Sequence, residues 1–131
     1  MSTLAKGTHL NVQYFRASGY VRIARTSAKF SSIEQAATCL KACDVAFSEL
    51  NISKLSLLLD WRLAPLSTDP HLHRFLVRST DVFAARFARS AVLVATPLGK
   101  LQSVRVGRAH STAAPVVFDD EARALEYLVG R

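Results

Sequence analysis

Apolar and polar positions alternate near the start of the chain, from His9 to Arg16 and again from Tyr20 to Thr26, with Arg16-Ala17-Ser18-Gly19 linking the two runs. A period of two predicts the strands of an antiparallel hairpin, with Val12, Tyr14, Val21 and Ile23 directed to a core. The period then changes. Ser31 and Ser32 stand three residues before Glu34 and Gln35, so either register supplies a capping box. Ile33, Ala36, Ala37, Leu40, Cys43, Phe47 and Leu50 follow at spacings of three and four, the apolar stripe of a helix that stops near Asn51.

Leu55 to Asp60 is nearly all apolar, as expected of a central strand covered on both faces. Asp69-Pro70 then starts a helix, with Asp69 as N-cap and Pro70 at the first helical position, where its missing N–H is tolerated. Leu72, Phe75, Leu76, Val82, Phe83 and Phe87 are predicted to face inward, and His71, Arg74, Arg78, Asp81 and Ala85 outward. Ala91 to Ala95 reads as a second buried strand, and Thr96-Pro97 repeats the cap-then-proline signal for a helix to about Ala109. Val116 to Phe118 is a last short strand. Asp119 or Asp120 caps a closing helix with Ala122, Leu125 and Leu128 inward. Strands alternating with helices imply right-handed parallel crossovers, so the predicted class is α/β: a single open mixed sheet, led by an antiparallel hairpin. Residues 1–8 precede the pattern and read as an N-terminal extension to a single domain at 9–131.

The composition fits that picture. The 131 residues suit one domain, and with 50% hydrophobic residues and a mean hydropathy of +0.16 the chain can build a core without a metal or disulfide. No apolar stretch approaches the roughly 18 residues of a membrane span, and no signal-peptide pattern opens the chain, so a cytoplasmic protein is expected.

Charge adds a sharper clue. The formal net charge is +7, from 17 basic residues against 10 acidic ones, and it is unevenly placed. Residues 1–30 carry Lys6, Arg16, Arg22, Arg25 and Lys29 and no acid. Residues 71–110 carry Arg74, Arg78, Arg86, Arg89, Lys100, Arg105 and Arg108 against Asp81 alone. Such a layout points to an anionic partner on one side, and the predominance of Arg suits carboxylates as well as phosphates.

Candidate chemistry is sparse. Cys39 and Cys43 are one helical turn apart, too few for a zinc site and poorly placed for a disulfide, so free buried thiols are expected. His71 and His73 flank Leu72, a spacing that points them apart on a helix, with His71 solvated and His73 partly packed. There is no nucleophile turn and no glycine-rich phosphate loop, so neither catalysis nor a cofactor or metal is expected. In open parallel sheets, ligands sit beyond the carboxyl ends of the strands. Those ends supply Asp60, Trp61 and Arg62, and then Thr96, a candidate ligand or partner site. The structural alternative has Asp60 accepting N–H groups of the following loop while Trp61 covers the sheet edge, as acids at strand ends often cap turns. A phospho-receiver arrangement does not fit, because Asp119 stands where that chemistry needs Lys. Ser67 and Thr68 precede a helix N-terminus, which favours phosphate but equally suits helix caps.

The element order, Leu57-Leu58-Leu59-Asp60 with Trp61-Arg62, Ala91-Val92-Leu93-Val94 leading to Thr96-Pro97-Leu98-Gly99, and Val117-Phe118-Asp119-Asp120-Glu121-Ala122 with Ala124-Leu125-Glu126-Tyr127-Leu128 together resemble the SpoIIAA-like branch of the STAS superfamily, over about His9 to Val129. The resemblance implies a small non-enzymatic domain used in protein–protein regulation, as in anti-sigma-factor antagonists, related in shape to lipid carriers. Its phosphorylated members place Asp-Ser and Gly before the helix after the third strand. Here Leu66-Ser67-Thr68-Asp69-Pro70 stands there without Gly, which leaves Ser67 and Thr68 as positional phosphosite candidates only.

Three functions follow as expectations. The first is a regulatory module of bacterial-signalling type that docks an acidic protein through Arg74, Arg78, Lys100, Arg105 and Arg108. The alternative is an apolar-ligand or lipid carrier, with Leu63 to Leu66, Phe75, Phe83 and Leu98 lining a gap and Lys100 and Arg105 taking an acidic head group. Nucleic acid ranks below both, because the aromatics read as core and no stacking platform is present.

Overall fold

A computed structural model of the chain describes residues 1–65, 69–95 and 115–130. Among these, six strands form one sheet in the order of the sequence: β1 (Ser2–Lys6), β2 (Leu10–Phe15), β3 (Tyr20–Arg25), β4 (Ser56–Asp60), β5 (Arg89–Leu93) and β6 (Val116–Phe118). The first three strands pair antiparallel and the remaining pairings are parallel. Helix α1 (Ile33–Phe47) crosses from β3 to β4, α2 (Pro70–Ala85) crosses from β4 to β5, and α3 (Glu121–Val129) follows β6. The expected α/β fold with one mixed sheet is present.

Because each parallel strand is added on the same side of the last, right-handed crossovers put α1 and α2 on one face of the sheet. Side-chain parity follows. Val12, Val21, Ile23, Leu57, Leu59 and Val92 pack with Cys43 and Phe47 of α1 and with Phe83 and Phe87. Phe47 meets Phe83 and Phe87 edge-on, with centroids 6.1 and 5.5 Å apart, which fastens the two helices together. The opposite parity, Leu58, Ala91 and Leu93, packs under Ala124 and Leu128 of α3. β4 is buried along its whole length, which explains its nearly unbroken apolar run.

Local signals set the element ends. Ser32 caps α1 by accepting from the Gln35 amide at 3.1 Å, while the Gln35 side chain takes the Ser31 amide at 2.6 Å. Asp69 caps α2 through the amides of His71 and Leu72. Asp120, rather than Asp119, caps α3 through Ala122 and Arg123. Gly19 turns the β2–β3 hairpin at φ +74°, a conformation that favours glycine.

Several side chains and one segment depart from expectation. Residues 1–8 are more than an extension: Ser2–Lys6 pairs antiparallel with β2 through an irregular register between Thr3 and Ala5, and Gly7 closes the turn onto Leu10 at 3.0 Å. This strand lies at the sheet edge with three of its five residues exposed, so it needs little apolar alternation. Val82 is 65% exposed, since α2 packs against Phe47 of α1 with Leu72, Phe83 and Ala84 buried instead. Asp81 is half-buried, not outward, and His73 is exposed, not packed. Ile33, in the first turn of α1, is 37% exposed. In α3 the buried positions are Ala124 and Leu128, and Ala122 is exposed beside the cap. The expected helix after Thr96 and the loop residue Leu66 lie outside the described residues.

Candidate functional site

The strand-end candidates Asp60, Trp61 and Arg62 come together as one tied cluster. Asp60 ends β4 on the face that carries α3 and is 5% exposed. Its carboxylate accepts from Arg22 of β3 and from Arg62, whose Nη2 is 2.9 Å from Oδ2 and whose Nε and backbone N are 3.0 and 3.3 Å from Oδ1. Arg62 also lies 3.8 Å from Glu121 in the first turn of α3. Burial pushes the Asp60 carboxyl up, but the hydrogen bonds from Arg62 and Arg22 together outweigh it and bring its pKa to about 2. Conversely, the Asp60 carboxylate raises the pKa of Arg62. Trp61 donates its backbone N–H to Leu93 at 2.9 Å and packs, half-buried, against the core on the α1–α2 face. A carboxylate ionised at neutral pH and held by two guanidiniums joins β3, β4, the following loop and α3, and is a poor proton shuttle. Thr96 lies outside the described residues.

The basic residues divide by environment. Arg25 lies over the Phe30 ring, 4.4 Å from its centroid, and reaches the Ala28 carbonyl. Arg86 pairs with Asp44 of α1 at 2.5 Å, and Arg89 donates to the Tyr127 carbonyl near the end of α3 at 2.8 Å. These contacts, with those of Arg22 and Arg62, tie parts of the fold together. Arg16, Arg123, Arg74 and Arg78 are exposed instead, and only Arg74 and Arg78 of these stand one turn apart on the same helix. Both are exposed on α2, Arg74 touches only the His71 ring at 2.9 Å among the described residues, and no carboxylate among those residues lies within ion-pair reach of either. Lys100, Arg105 and Arg108, expected on the same surface, lie outside the described residues, as do the phosphosite candidates Ser67 and Thr68.

Arg78 also borders a groove of about 440 Å³ between α1 and α2. Leu40, Phe75, Val82 and Phe83 give it apolar walls, and Lys41, Arg78 and the Arg86–Asp44 pair form its polar rim. Thus Phe75 and Phe83, expected beside Leu98 in a ligand gap, line an open groove on the α1 side of α2. Sequence reasoning missed the contribution of α1: Lys41 and Asp44 flank the groove, and Val45, four residues after Lys41, is 68% exposed. Spacings of four in Ala37-Lys41-Val45 and Arg74-Arg78-Val82-Arg86 carried the signal, because such residues form a continuous ridge on a helix. Neither Arg22 as a partner of Asp60 nor Glu121 as a neighbour of Arg62 was legible.

The thiols remain free, with Cys43 fully buried and Cys39 half-buried. Burial, with smaller contributions from Cys39 and Asp44, pushes the Cys43 thiol up to about 12. Cys39 is also raised by burial, against the lowering effect of Arg25. Neither is set up as a nucleophile. No described helix is long and apolar enough to cross a membrane.

No family model and no curated protein matches the chain. Among solved structures, it is similar to the crystal structure of an uncharacterized DUF3478-family protein with a SpoIIAA-like fold from Shewanella loihica PV-4. The match has 16% identity and a TM-score of 0.61, covering 95% of this chain and 98% of that one. Together with the sheet order and the placement of α1 and α2, that match establishes that this chain has a SpoIIAA-like fold.

Proposed function

We propose that the chain is a non-enzymatic, cytoplasmic, STAS-like regulatory module that docks an acidic protein partner on the outer face of α2, around Arg74 and Arg78. The observation that carries this reading is the contrast among arginines. Arg22, Arg25, Arg62, Arg86 and Arg89 are engaged within the fold, whereas Arg74 and Arg78 stand exposed without a carboxylate among the described residues and, unlike the equally exposed Arg16 and Arg123, sit together one turn apart on one helix. Two guanidiniums one helical turn apart can take carboxylates bidentately, and they steer an acidic surface on approach. Lys100, Arg105 and Arg108, outside the described residues, are further proposed contacts of the same partner.

Affinity purification from the native host tests the reading with the Arg74→Glu/Arg78→Glu variant. The partner should be lost while folding stability stays within about 0.5 kcal/mol, as for exposed sites. A partner retained by the folded variant overturns it. The apolar-carrier alternative makes a separate prediction, a copurified acyl ligand in the native mass spectrum, and repeatedly empty spectra would remove it.

A further inference from the structure

The geometry points to the α1–α2 groove as the seat of an amphipathic helix with an acidic flank, supplied by the partner protein. This inference rests on the proposed docking function and specifies what that surface grips. Exposed Val82 carries the apolar part inside the groove, and Val45 adds apolar surface beside it, outside the lining. Val82 (65% exposed) lines the groove, and Val45 (68% exposed) follows Lys41 along the outer ridge of α1. Leu40 of α1 and Phe75 and Phe83 of α2 line the same groove, so an aliphatic side chain entering between the helices would meet apolar surface on both sides.

Charge chooses the kind of helix. Lys41, Arg78 and Arg86 border the groove, and the one carboxylate among the described residues of the same rim, Asp44, is already held by Arg86. Arg74 continues the ridge one turn further. An acidic flank would therefore meet Lys41 on one side and Arg74 and Arg78 on the other. An extended strand finds no template here, because the backbone groups of α1 and α2 are bonded within their own helices. A helix brings its own backbone bonds and can place side chains between the two ridges. From Arg74 to Arg86 the ridge runs ~18 Å, matching about 12 residues of partner helix.

Panning the intact protein with a random displayed-peptide library tests this, with binding of the enriched peptides measured by fluorescence polarisation. The expected peptides combine apolar residues at helical spacing with Asp or Glu. Their binding should weaken at least ~10-fold in Val82→Asp and in Ala37→Arg. The second variant blocks the groove while adding positive charge, so its loss of binding separates seating from simple attraction. Enrichment of peptides without acids, indifference to both substitutions, or no groove binder at all overturns the inference. So does binding of phosphatidylglycerol vesicles with the same Val82 dependence, which would give the face to a membrane. If the host partner needs Arg74 and Arg78 but ignores Ala37→Arg and Val82→Asp, the docking face stands and the helix seat falls. If acidic peptides fill the groove but the host partner ignores charge reversal at Arg74 and Arg78, the helix seat stands and the proposed function falls.

Discussion

Replacing Asp60 by Asn keeps the shape of the side chain and removes the charge that joins β3 to β4 and holds Arg62, which in turn reaches Glu121 of α3. Its magnitude can be worked from the structure in two ways. The carboxyl titrates at about 2 in the folded protein against 3.8 as its ordinary value. A difference of that size stabilises the fold by about 2.5 kcal/mol at neutral pH. From the ion pairs, removing one partner of a fully buried pair costs roughly 3–5 kcal/mol, but the Arg22 and Arg62 side chains are 25% and 39% exposed, so water screens part of the loss. Both routes converge on a destabilisation of about 2 kcal/mol, or a fall in Tm of very roughly 8 °C. The sign with pH is fixed. A depressed carboxyl pKa gives stability that is complete above the unfolded value and lost as pH falls through the folded one. In paired denaturant titrations the difference between wild type and Asp60→Asn should therefore hold from neutral pH to about pH 5, halve near pH 3 and largely vanish by about pH 2. A neutral-pH difference below about 0.5 kcal/mol, or one that does not change with pH, would refute the reasoning.

The phase of α2 predicts that Phe83→Ala costs roughly 3–5 kcal/mol in chemical denaturation while its exposed neighbour Val82→Ala stays within about 0.5; equal losses would mean that the helix is rotated. Ser32→Ala removes the α1 cap and should cost about 1 kcal/mol, read from the same melts. In thiol labelling of the native protein near neutral pH, half-buried Cys39 should react slowly and Cys43, with its thiol raised to about 12, only after unfolding. Labelling of Cys43 at the Cys39 rate would contradict the packing of α1 on the sheet.

Local chemistry made most of the fold legible. The capping residues Ser32 and Asp69, the proline at the start of α2 and the all-apolar β4 are short-range signals, and each marks its element in the structure. What periodicity could not supply was anything decided between distant segments. β1 is recognised only through its pairing with β2. Arg22 and Asp60 are 38 residues apart and meet because β3 and β4 are neighbours in the sheet. Val82 fits an apolar helical stripe as well as Leu76 does, and only the packing of α2 against Phe47 selects Phe83 instead. The basic surface was legible as charge in excess, and helix phase already set Arg74 and Arg78 on the outer face apart from Arg86 and Arg89, but the partners that engage the latter two, Asp44 and the Tyr127 carbonyl, were not legible.

That separation can be measured with a charge-matched pair of variants. Arg74→Glu/Arg78→Glu and Arg16→Glu/Arg123→Glu change the net charge of +7 equally, at residues that are all exposed, but only the first pair lies on the outer face of α2. With the partner captured from the native host, quantitative binding to both folded variants should show the α2 reversal abolishing the complex and the Arg16/Arg123 reversal leaving it near the wild-type level. Equal loss in the two variants would assign binding to bulk charge, and retention in both would remove the docking surface from the account.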